Sequence, residues 1–135
     1  MKGSYILLID LVKDKEIKIG KLGNIFFKKG TYVYVGSALN NLEKRIQRYH
    51  SSEKKLHWHI DYFLKYAKIV DVYYKESNKK EECKIAKNFE NFKKIEDFGC
   101  SDCNCESHLF YGNYHEILSV IDKLKLKKYD SNAKI

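Results

Sequence analysis

Residues 30–50, GTYVYVGSALNNLEKRIQRYH, place a strand directly before a helix, and this pair constrains the fold more than any other stretch of the chain. The first part is a β-branched and aromatic run between two glycines, which is typical of a buried strand. Its alternation puts Tyr32 and Tyr34 on one face. Asn40 is predicted to be the N-cap of the helix, with Glu43 three residues later in the pattern of a capping box. We therefore expect the rest of the chain to be arranged around this strand and helix.

The predicted helix carries an arginine on its apolar side. Leu42, Ile46 and Tyr49 recur at i, i+4 and i+7. Arg45 joins the same stripe at i+3, and it and Arg48 are the only arginines among the 26 lysine and arginine residues of the chain. A planar guanidinium in place of the usual lysine favours a phosphate or carboxylate held in a fixed geometry. The alternative is that Arg45 extends from the edge of the stripe or pairs with a carboxylate.

The length and charge of the chain indicate one basic domain. At 135 residues it is long enough for a single core, and it has no internal repeat and no linker-like stretch. The formal net charge of +8 favours a polyanionic partner, and nucleic acid is the partner that we expect. The alternative is a surface that is merely rich in lysine.

The N-terminal apolar run is too short for a membrane span. It covers residues 5–12, is interrupted by Asp10 and is followed by no small-residue cleavage pattern. We therefore expect no signal peptide, no membrane partner and a cytoplasmic location.

Periodicity predicts strands early in the chain and helices later. Strands are expected at residues 4–12, 17–19, 31–35 and 69–74, a loop or hairpin around residues 25–27, and helices after Asn40 and at residues 56–67, 79–92 and 114–126. Residues 4–36 are expected to form an antiparallel meander, and residues 93–107 an irregular loop. The pattern predicts an α+β fold with a small central, mainly antiparallel sheet flanked by helices. Residues 1–126 form the single expected domain, and residues 127–135 a basic, frayed tail.

A second charged residue lies on an apolar helical stripe. Glu82 precedes Ile85, Ala86 and Phe89 at the spacing i, i+3, i+4 and i+7. A glutamate in a first helical turn is also favoured by the helix dipole, which alone would explain it. If Glu82 faces inward, towards Arg45 and the strand tyrosines, the group would bind a hard divalent cation and a phosphodiester.

His57, His59 and Asp61 form a further group of polar residues. In a helix, His57 and Asp61 at i and i+4 share a face, either as a metal ligand with its supporting carboxylate or as a bond on the helix surface. The neighbouring Trp58 instead favours a packing role for this segment. His50, at the end of the preceding helix, is expected to contact phosphate.

Three of the four cysteines fall close together in the sequence. With a nearby histidine they have the residue types of a structural zinc site, whose expected ligands are Cys100, Cys103, Cys105 and His108. Their spacing is tighter than that of the usual zinc fingers. The alternative is a set of buried thiols that rigidify the loop, and in a reducing compartment disulfides are the least favoured outcome.

Several of these residues together resemble the GIY-YIG nuclease superfamily. The matching positions are Gly3-Ser4-Tyr5 on the first strand, Tyr34-Val35-Gly36 on the central strand, Arg45, Tyr49 and Glu82. The run from KGTYVYVGSA through LHWHIDYFL to FGCSDCNCESHLFYG resembles a little-characterised, largely archaeal family within that superfamily, with HWHID and GCSDC as its most specific segments. Members of that family sometimes occur fused to DNA-repair glycosylases. The similarity extends from Gly3 to about Leu118.

The resemblance implies a site that hydrolyses DNA phosphodiesters with one Mg²⁺ or Mn²⁺ ion. The residues it assigns are the motif tyrosines Tyr5 and Tyr34, the motif glycine Gly36, Arg45 on the scissile phosphate, Tyr49, and Glu82 on the metal. Among the tyrosines, Tyr5 is favoured as the one that acts on the attacking water. Ser37, Arg48 and His50 are expected to bind the DNA phosphates, and branched or damaged DNA is the expected substrate class.

Two features differ from the superfamily pattern. The insert between the two tripeptides is much longer than usual, and the position after Gly36, a lysine in the repair incision nucleases, is Ser37. Two alternatives to a DNA-repair endonuclease therefore stay open. One is a non-catalytic nucleic-acid-binding module, and the other is a zinc-stabilised adaptor that recruits a DNA-repair protein.

Overall fold

The computed structural model of the protein describes residues 1–51, 55–100 and 105–130. The strands are β1 (Gly3–Leu11), β2 (Lys15–Lys18), β3 (Asn24–Phe27), β4 (Gly30–Ala38), β5 (Lys68–Glu76), β6 (Lys93–Lys94), β7 (Leu109–Gly112) and β8 (Lys127–Lys128). The helices are α1 (Leu42–His50), α2 (His59–Phe63), α3 (Glu82–Ala86) and α4 (Tyr114–Leu124), with short 3-10 turns at Gly20–Leu22 and Lys87–Phe89. None of the helices in these ranges has the length and apolar character needed to cross a membrane.

A six-stranded antiparallel sheet organises these elements. Its strand order is β6-β7-β4-β1-β5-β8, so that β1 lies in the middle between β4 and β5. The α+β fold with a mainly antiparallel central sheet is therefore confirmed. Residues 127 and 128, assigned to the tail by the sequence, pair with Tyr73 and Tyr74 of β5 as its outer neighbour.

Both faces of the sheet are buried, and each has its own core. The tyrosine face, defined by Tyr5, Tyr32 and Tyr34, packs against α1, α2 and the β2–β3 hairpin. The aliphatic face, defined by Ile6 and Leu8 with their neighbours on β4, packs against α3 and α4. Since successive side chains of a strand point to opposite faces, β1 and β4 reach both cores.

The expected meander of residues 4–36 is wrong. The strand β1 pairs directly with β4 over nine residues, from Gly3 opposite Ala38 to Leu11 opposite Gly30. The intervening β2 and β3 pair only with each other and form a separate two-stranded sheet. Two long apolar strands bury more surface against each other than either could against the four-residue strands β2 and β3, and this decides the pairing.

Three helix boundaries also differ from the expectation. The N-cap of α1 is Asn41, whose side chain accepts a hydrogen bond from the Lys44 backbone N at 2.9 Å, so the capping box at Asn40 is wrong. The helix expected at residues 56–67 is only α2, and the helix expected at 79–92 is α3 followed by a 3-10 turn. Their apolar stripes are correct, since Ile60 and Phe63 are buried in one core and Ile85, Ala86 and Phe89 in the other.

Replacing Leu8 with alanine is expected to lower the free energy of unfolding by about 2–5 kcal/mol, because the side chain is fully buried on the aliphatic face and leaves a cavity. Urea unfolding followed by circular dichroism measures the change. The matched control is Val12→Ala just beyond the same strand, where the side chain is 73% exposed and the change should stay within about 0.5 kcal/mol. Equal losses at the two positions would contradict the assignment of β1 as the buried centre.

Candidate functional site

A cleft of about 340 Å³ opens at the end of β4. The strand β7 pairs with residues 31–34 of β4, and beyond the bond from the Val35 backbone N to the His108 carbonyl no strand within the described ranges continues the sheet on that side. The cleft extends across this uncovered end. Its lining includes most of the residues that the sequence proposed for the site, but not Arg48, His50 or Asp61. The predicted residues that line it are Tyr5, Tyr34, Gly36, Ser37, Arg45, Tyr49, His57, His59 and Glu82.

The glycine at position 36 makes room for a phenol. Tyr5 lies opposite Gly36 in the β1–β4 pair, and a Cβ atom on Gly36 would come within 2.5 Å of the Tyr5 hydroxyl oxygen. The Tyr5 ring therefore crosses β4 at the one place where no side chain opposes it. Its hydroxyl then lies 2.5 Å from the hydroxyl of Tyr49 on α1.

The three phenols of the cleft are buried and neutral at neutral pH. Burial raises the pKa of Tyr5, although the nearby Arg45 opposes this rise. Burial also raises the pKa of Tyr34 and of Tyr49 well above that of a free tyrosine. The residues of the chain alone therefore present these hydroxyls as hydrogen-bonding groups and not as phenolate bases.

Arg45 brings a positive charge into the cleft. Its Nη1 donates to the Ser37 carbonyl at 3.1 Å and lies 3.5 Å from the Tyr5 hydroxyl. Burial acts to lower the pKa of Arg45, but Tyr5 and Tyr49 more than offset this, so its pKa is raised and it stays charged. Among the described residues no carboxylate forms an ion pair with it.

Glu82 reaches the same part of β4 from α3. The Ser37 hydroxyl donates a hydrogen bond to its carboxylate. The Ser4 hydroxyl lies 2.7 Å from that of Ser37 and accepts a bond from the Glu81 backbone N at 3.2 Å. The start of α3 is thus tied to the ends of β1 and β4. As a result, Ser37 contacts both charged groups: its carbonyl accepts from the Arg45 guanidinium, and its hydroxyl donates to the Glu82 carboxylate.

Arg48 has a different partner from the one that the sequence suggested. Its guanidinium forms two hydrogen bonds to Asp61, at 2.8 and 2.7 Å, and the Asp61 side chain is fully buried. One oxygen of Asp61 also accepts the backbone N–H groups of His57 and Trp58, each at 2.8 Å. The expected helical pair of His57 and Asp61 is therefore wrong, since His57 lies before α2 and contacts Asp61 through its backbone N–H.

Trp58 connects the two arginines. Its ring lies 4.3 Å from the Arg45 Cζ and 4.5 Å from the Arg48 Cζ, within range of cation–π attraction to both. This role was not found from the sequence, where Trp58 was assigned to packing. The ring holds Arg45 over the cleft, while Asp61 fixes Arg48 and the backbone that carries Trp58.

The remaining predicted residues divide between the cleft and other places. The Nδ1 atom of His59 accepts the Gly99 backbone N–H at 2.8 Å, and burial lowers the pKa of this histidine. His50 is exposed and lies beside β5 and β8 instead of lining the cleft. Lys80 lines the cleft and was missed, because nothing in the sequence distinguishes it from the many other lysines.

Comparison with known families places the chain in one of them. Residues 4–128 match the family described as Domain of unknown function DUF123. The chain belongs to this family. No curated protein and no solved structure matches it.

A second group of polar side chains in this DUF123 protein can bind a metal ion. The ligand atoms of Cys83, Cys105 and His108 all lie within 4.8 Å of one another. The set expected from the sequence is therefore only partly correct. The Cys100 thiol donates to the Phe98 carbonyl at 3.4 Å, Cys103 lies outside the described residues, and Cys83 comes instead from α3.

Replacing Asp61 with asparagine is expected to destabilise this DUF123 protein at pH 7 by about 2 kcal/mol. The change removes the charge that pairs with Arg48, and the loss is smaller than for a fully buried pair because the Arg48 side chain is a quarter exposed. Urea unfolding measures the difference. As a control, Asp122→Asn at an exposed position of α4 should stay within about 0.5 kcal/mol of the parent protein.

The loss should also depend on pH. Burial acts to raise the pKa of Asp61, but the hydrogen bonds from Arg48 and from the backbone outweigh it, and the pKa is lowered on folding. The stability that the carboxylate supplies is therefore present above about pH 4, the unfolded value, and is lost as the pH falls through the lower folded value. Unfolding measured from pH 7 to pH 3 should show the parent protein converging on Asp61→Asn in acid. A difference that stays constant over this range would contradict the assignment.

Proposed function

We propose that this DUF123 protein is a metal-dependent phosphodiester hydrolase of the GIY-YIG type that cuts DNA, with branched or damaged DNA as its substrate class. The observation that carries the proposal is the meeting of Arg45 and Glu82 at Ser37, beside the Tyr5 hydroxyl. One positive group, one carboxylate and one phenol then face the same cleft.

The charge of Arg45, which pairs with no carboxylate in the part of the chain that the structure describes, supports an anionic substrate. A partly buried guanidinium without a carboxylate partner has lost part of its hydration, and an incoming phosphate would replace it through two parallel hydrogen bonds. The net charge of +8 adds long-range attraction for a polyanion such as DNA.

The donor set around Glu82 fits a hard divalent cation. The carboxylate of Glu82 and the hydroxyl of Ser37 are oxygen ligands, and one carboxylate with water and substrate phosphate oxygens is the usual coordination of Mg²⁺. Glu82 would hold one Mg²⁺ or Mn²⁺ ion, which when bound supplies a positive charge against the charge that develops on the leaving oxygen.

The side chains have separate roles in the proposed reaction. Arg45 offsets negative charge on the phosphoryl oxygens as the water attacks. Tyr5 orients that water through its hydroxyl, whose position Tyr49 fixes from the other side. As a neutral phenol, Tyr5 forms a hydrogen bond with the water and takes no proton from it. Arg45 opposes the rise that burial causes in the pKa of Tyr5, so ionising this phenol costs less than ionising an isolated buried phenol.

The position of the two tripeptides is consistent with the superfamily despite the long insert. Gly3-Ser4-Tyr5 and Tyr34-Val35-Gly36 lie on the adjacent strands β1 and β4, with Tyr5 opposite Gly36. The insert forms the separate β2–β3 hairpin and leaves this pairing intact.

A second candidate is a DNA-binding module without turnover. Two observations favour it, since the pKa of each of the three phenols is raised, and Ser37 stands where repair incision nucleases have a lysine. In that case Arg45 would bind phosphate and Glu82 would only hold α3 on β4.

Cleavage assays with Arg45 and Glu82 variants test the proposal. Plasmid, flap and four-way junction DNA are incubated with the protein and Mg²⁺ or Mn²⁺, and nicking is followed on gels. Arg45→Ala, Arg45→Lys and Glu82→Gln should each reduce the rate by about 10²-fold or more, because each removes a group that acts on developing charge. Matched controls are Lys44→Ala, exposed on the same helix, and Glu81→Gln, whose carboxylate pairs with Lys75 outside the cleft. Nicking that persists in all three site variants would overturn the assigned site.

DNA binding without divalent metal separates the two candidates. Fluorescence anisotropy with a labelled junction should show binding that weakens as salt increases, and Arg45→Ala should weaken it further, whereas Glu82→Gln should not. Parent protein that binds in this way but cuts none of the three substrates with either metal would support the second candidate against the first. An Arg45→Ala variant that binds as tightly as the parent would contradict both.

A further inference from the structure

The cluster of Cys83, Cys105 and His108 has the spacing of ligands around one ion. Their ligand atoms lie within 4.8 Å of one another, and the Cys83 Sγ is 3.6 Å from the His108 Nε2. Around a tetrahedral zinc ion, with Zn–S and Zn–N bonds of about 2.3 and 2.0 Å, neighbouring ligand atoms are roughly 3.5–3.8 Å apart. Only small side-chain movements separate the cluster from that arrangement.

The chemistry of the donors selects zinc over the hard cations. Two thiols and an imidazole are the ligands that Zn²⁺ prefers, while Mg²⁺ and Ca²⁺ require oxygen. This group is therefore chemically distinct from the oxygen donors around Glu82.

His108 is held in place before any ion binds. Its side chain is buried, its backbone N donates to the Phe98 carbonyl at 2.8 Å, and its own carbonyl accepts the Val35 backbone N at 3.0 Å. A ligand fixed in this way by the sheet loses little further freedom on coordination.

A metal ion bound by this cluster would attach the helix α3 to the sheet. The helix has five residues, and its N-cap, Glu81, forms no side-chain capping bond. Helices this short are not stable on their own, so α3 depends on its contacts with the rest of the protein. Cys83 is the second residue of α3, directly after Glu82, and is 25 residues away from His108 in sequence.

We infer that Cys83, Cys105 and His108 bind a zinc ion that ties α3 to the segment before β7 and so fixes the position of Glu82. The zinc site itself stands independently of the proposed hydrolase activity, and only the consequence for Glu82 rests on it. A water or a further side chain fills the fourth tetrahedral position of the ion.

Metal analysis of untagged protein purified under reducing conditions tests the site directly. We expect about one zinc per chain, and expect Cys83→Ser and Cys105→Ser each to lose most of it. The control is Cys100→Ser, because Cys100 belongs to the same region but donates to the Phe98 carbonyl and lies outside the cluster. This variant should keep its zinc. Loss of zinc in Cys100→Ser with retention in Cys83→Ser would overturn the ligand set in favour of the one expected from the sequence.

Replacement of zinc by Co²⁺ gives a spectroscopic signature of the ligands in the parent protein, which the same variants then assign. The parent protein should show visible bands of tetrahedral cobalt and near-ultraviolet thiolate-to-metal bands, and the latter should weaken in Cys83→Ser while remaining in Cys100→Ser. A spectrum without thiolate bands would overturn the site, as would zinc far below one per chain combined with no uptake of added zinc.

The structural role has its own readout. Removal of zinc with a chelator should lower the melting temperature of the parent protein but leave Cys83→Ser unchanged. Because none of these measurements uses DNA cleavage, an inactive protein with intact zinc binding would refute the hydrolase alone. An active protein without zinc would refute this inference alone. A parent melting temperature that is insensitive to zinc removal would refute the role of the ion in holding α3.

Discussion

The pairing of β1 with β4 is the constraint on which the cleft depends. Its register places Tyr5 opposite Gly36, and the missing side chain lets the phenol cross the strand towards α1. A shift of one residue would move Tyr5 to the aliphatic face and would bring Ser4 and its hydroxyl to the tyrosine face. The contacts of the Tyr5 hydroxyl with Tyr49 and Arg45, and that of the Ser4 hydroxyl with Ser37, would then be lost. The sheet therefore sets the geometry of the site before any ligand is considered.

The two arginines of α1 show how the same side chain serves two purposes. Arg48 is neutralised by the buried carboxylate of Asp61, which also holds the backbone of Trp58. Arg45, one turn earlier, also lies on the ring of Trp58 but contacts the Ser37 carbonyl and the Tyr5 hydroxyl, and no carboxylate among the described residues pairs with it. The Arg48–Asp61 pair thus stabilises the wall of the cleft, while the Arg45 guanidinium keeps a positive charge that faces the cleft. The proposed binding of an anion in the cleft rests on this difference in partners more than on the net charge of the chain.

Much of this arrangement was predictable, and the parts that were not have identifiable causes. The long strands and the buried stripe of α1 follow from local periodicity, which is why β1, β4 and the position of Arg45 were predicted. The true length of α2 was not, because Asp61 captures backbone N–H groups that precede the helix, and this depends on a partner 13 residues away, Arg48. The role of Cys83 was missed for the same reason, since only the packing of α3 against the sheet brings it to His108.

The buried phenols decide what the cleft can do by its own residues. With the pKa of Tyr5, Tyr34 and Tyr49 raised, ionising any one of them at neutral pH costs free energy that Arg45 offsets only in part. A divalent cation near Glu82 would add positive charge on the other side of Ser37 and so make ionisation of these phenols less costly. A phosphate bound alone would add negative charge and make it more costly. Substrate and cation therefore favour each other's binding in such a cleft, because each compensates the charge that the other introduces. The proposed hydrolase needs this mutual dependence, whereas a module that only binds DNA needs Arg45 alone.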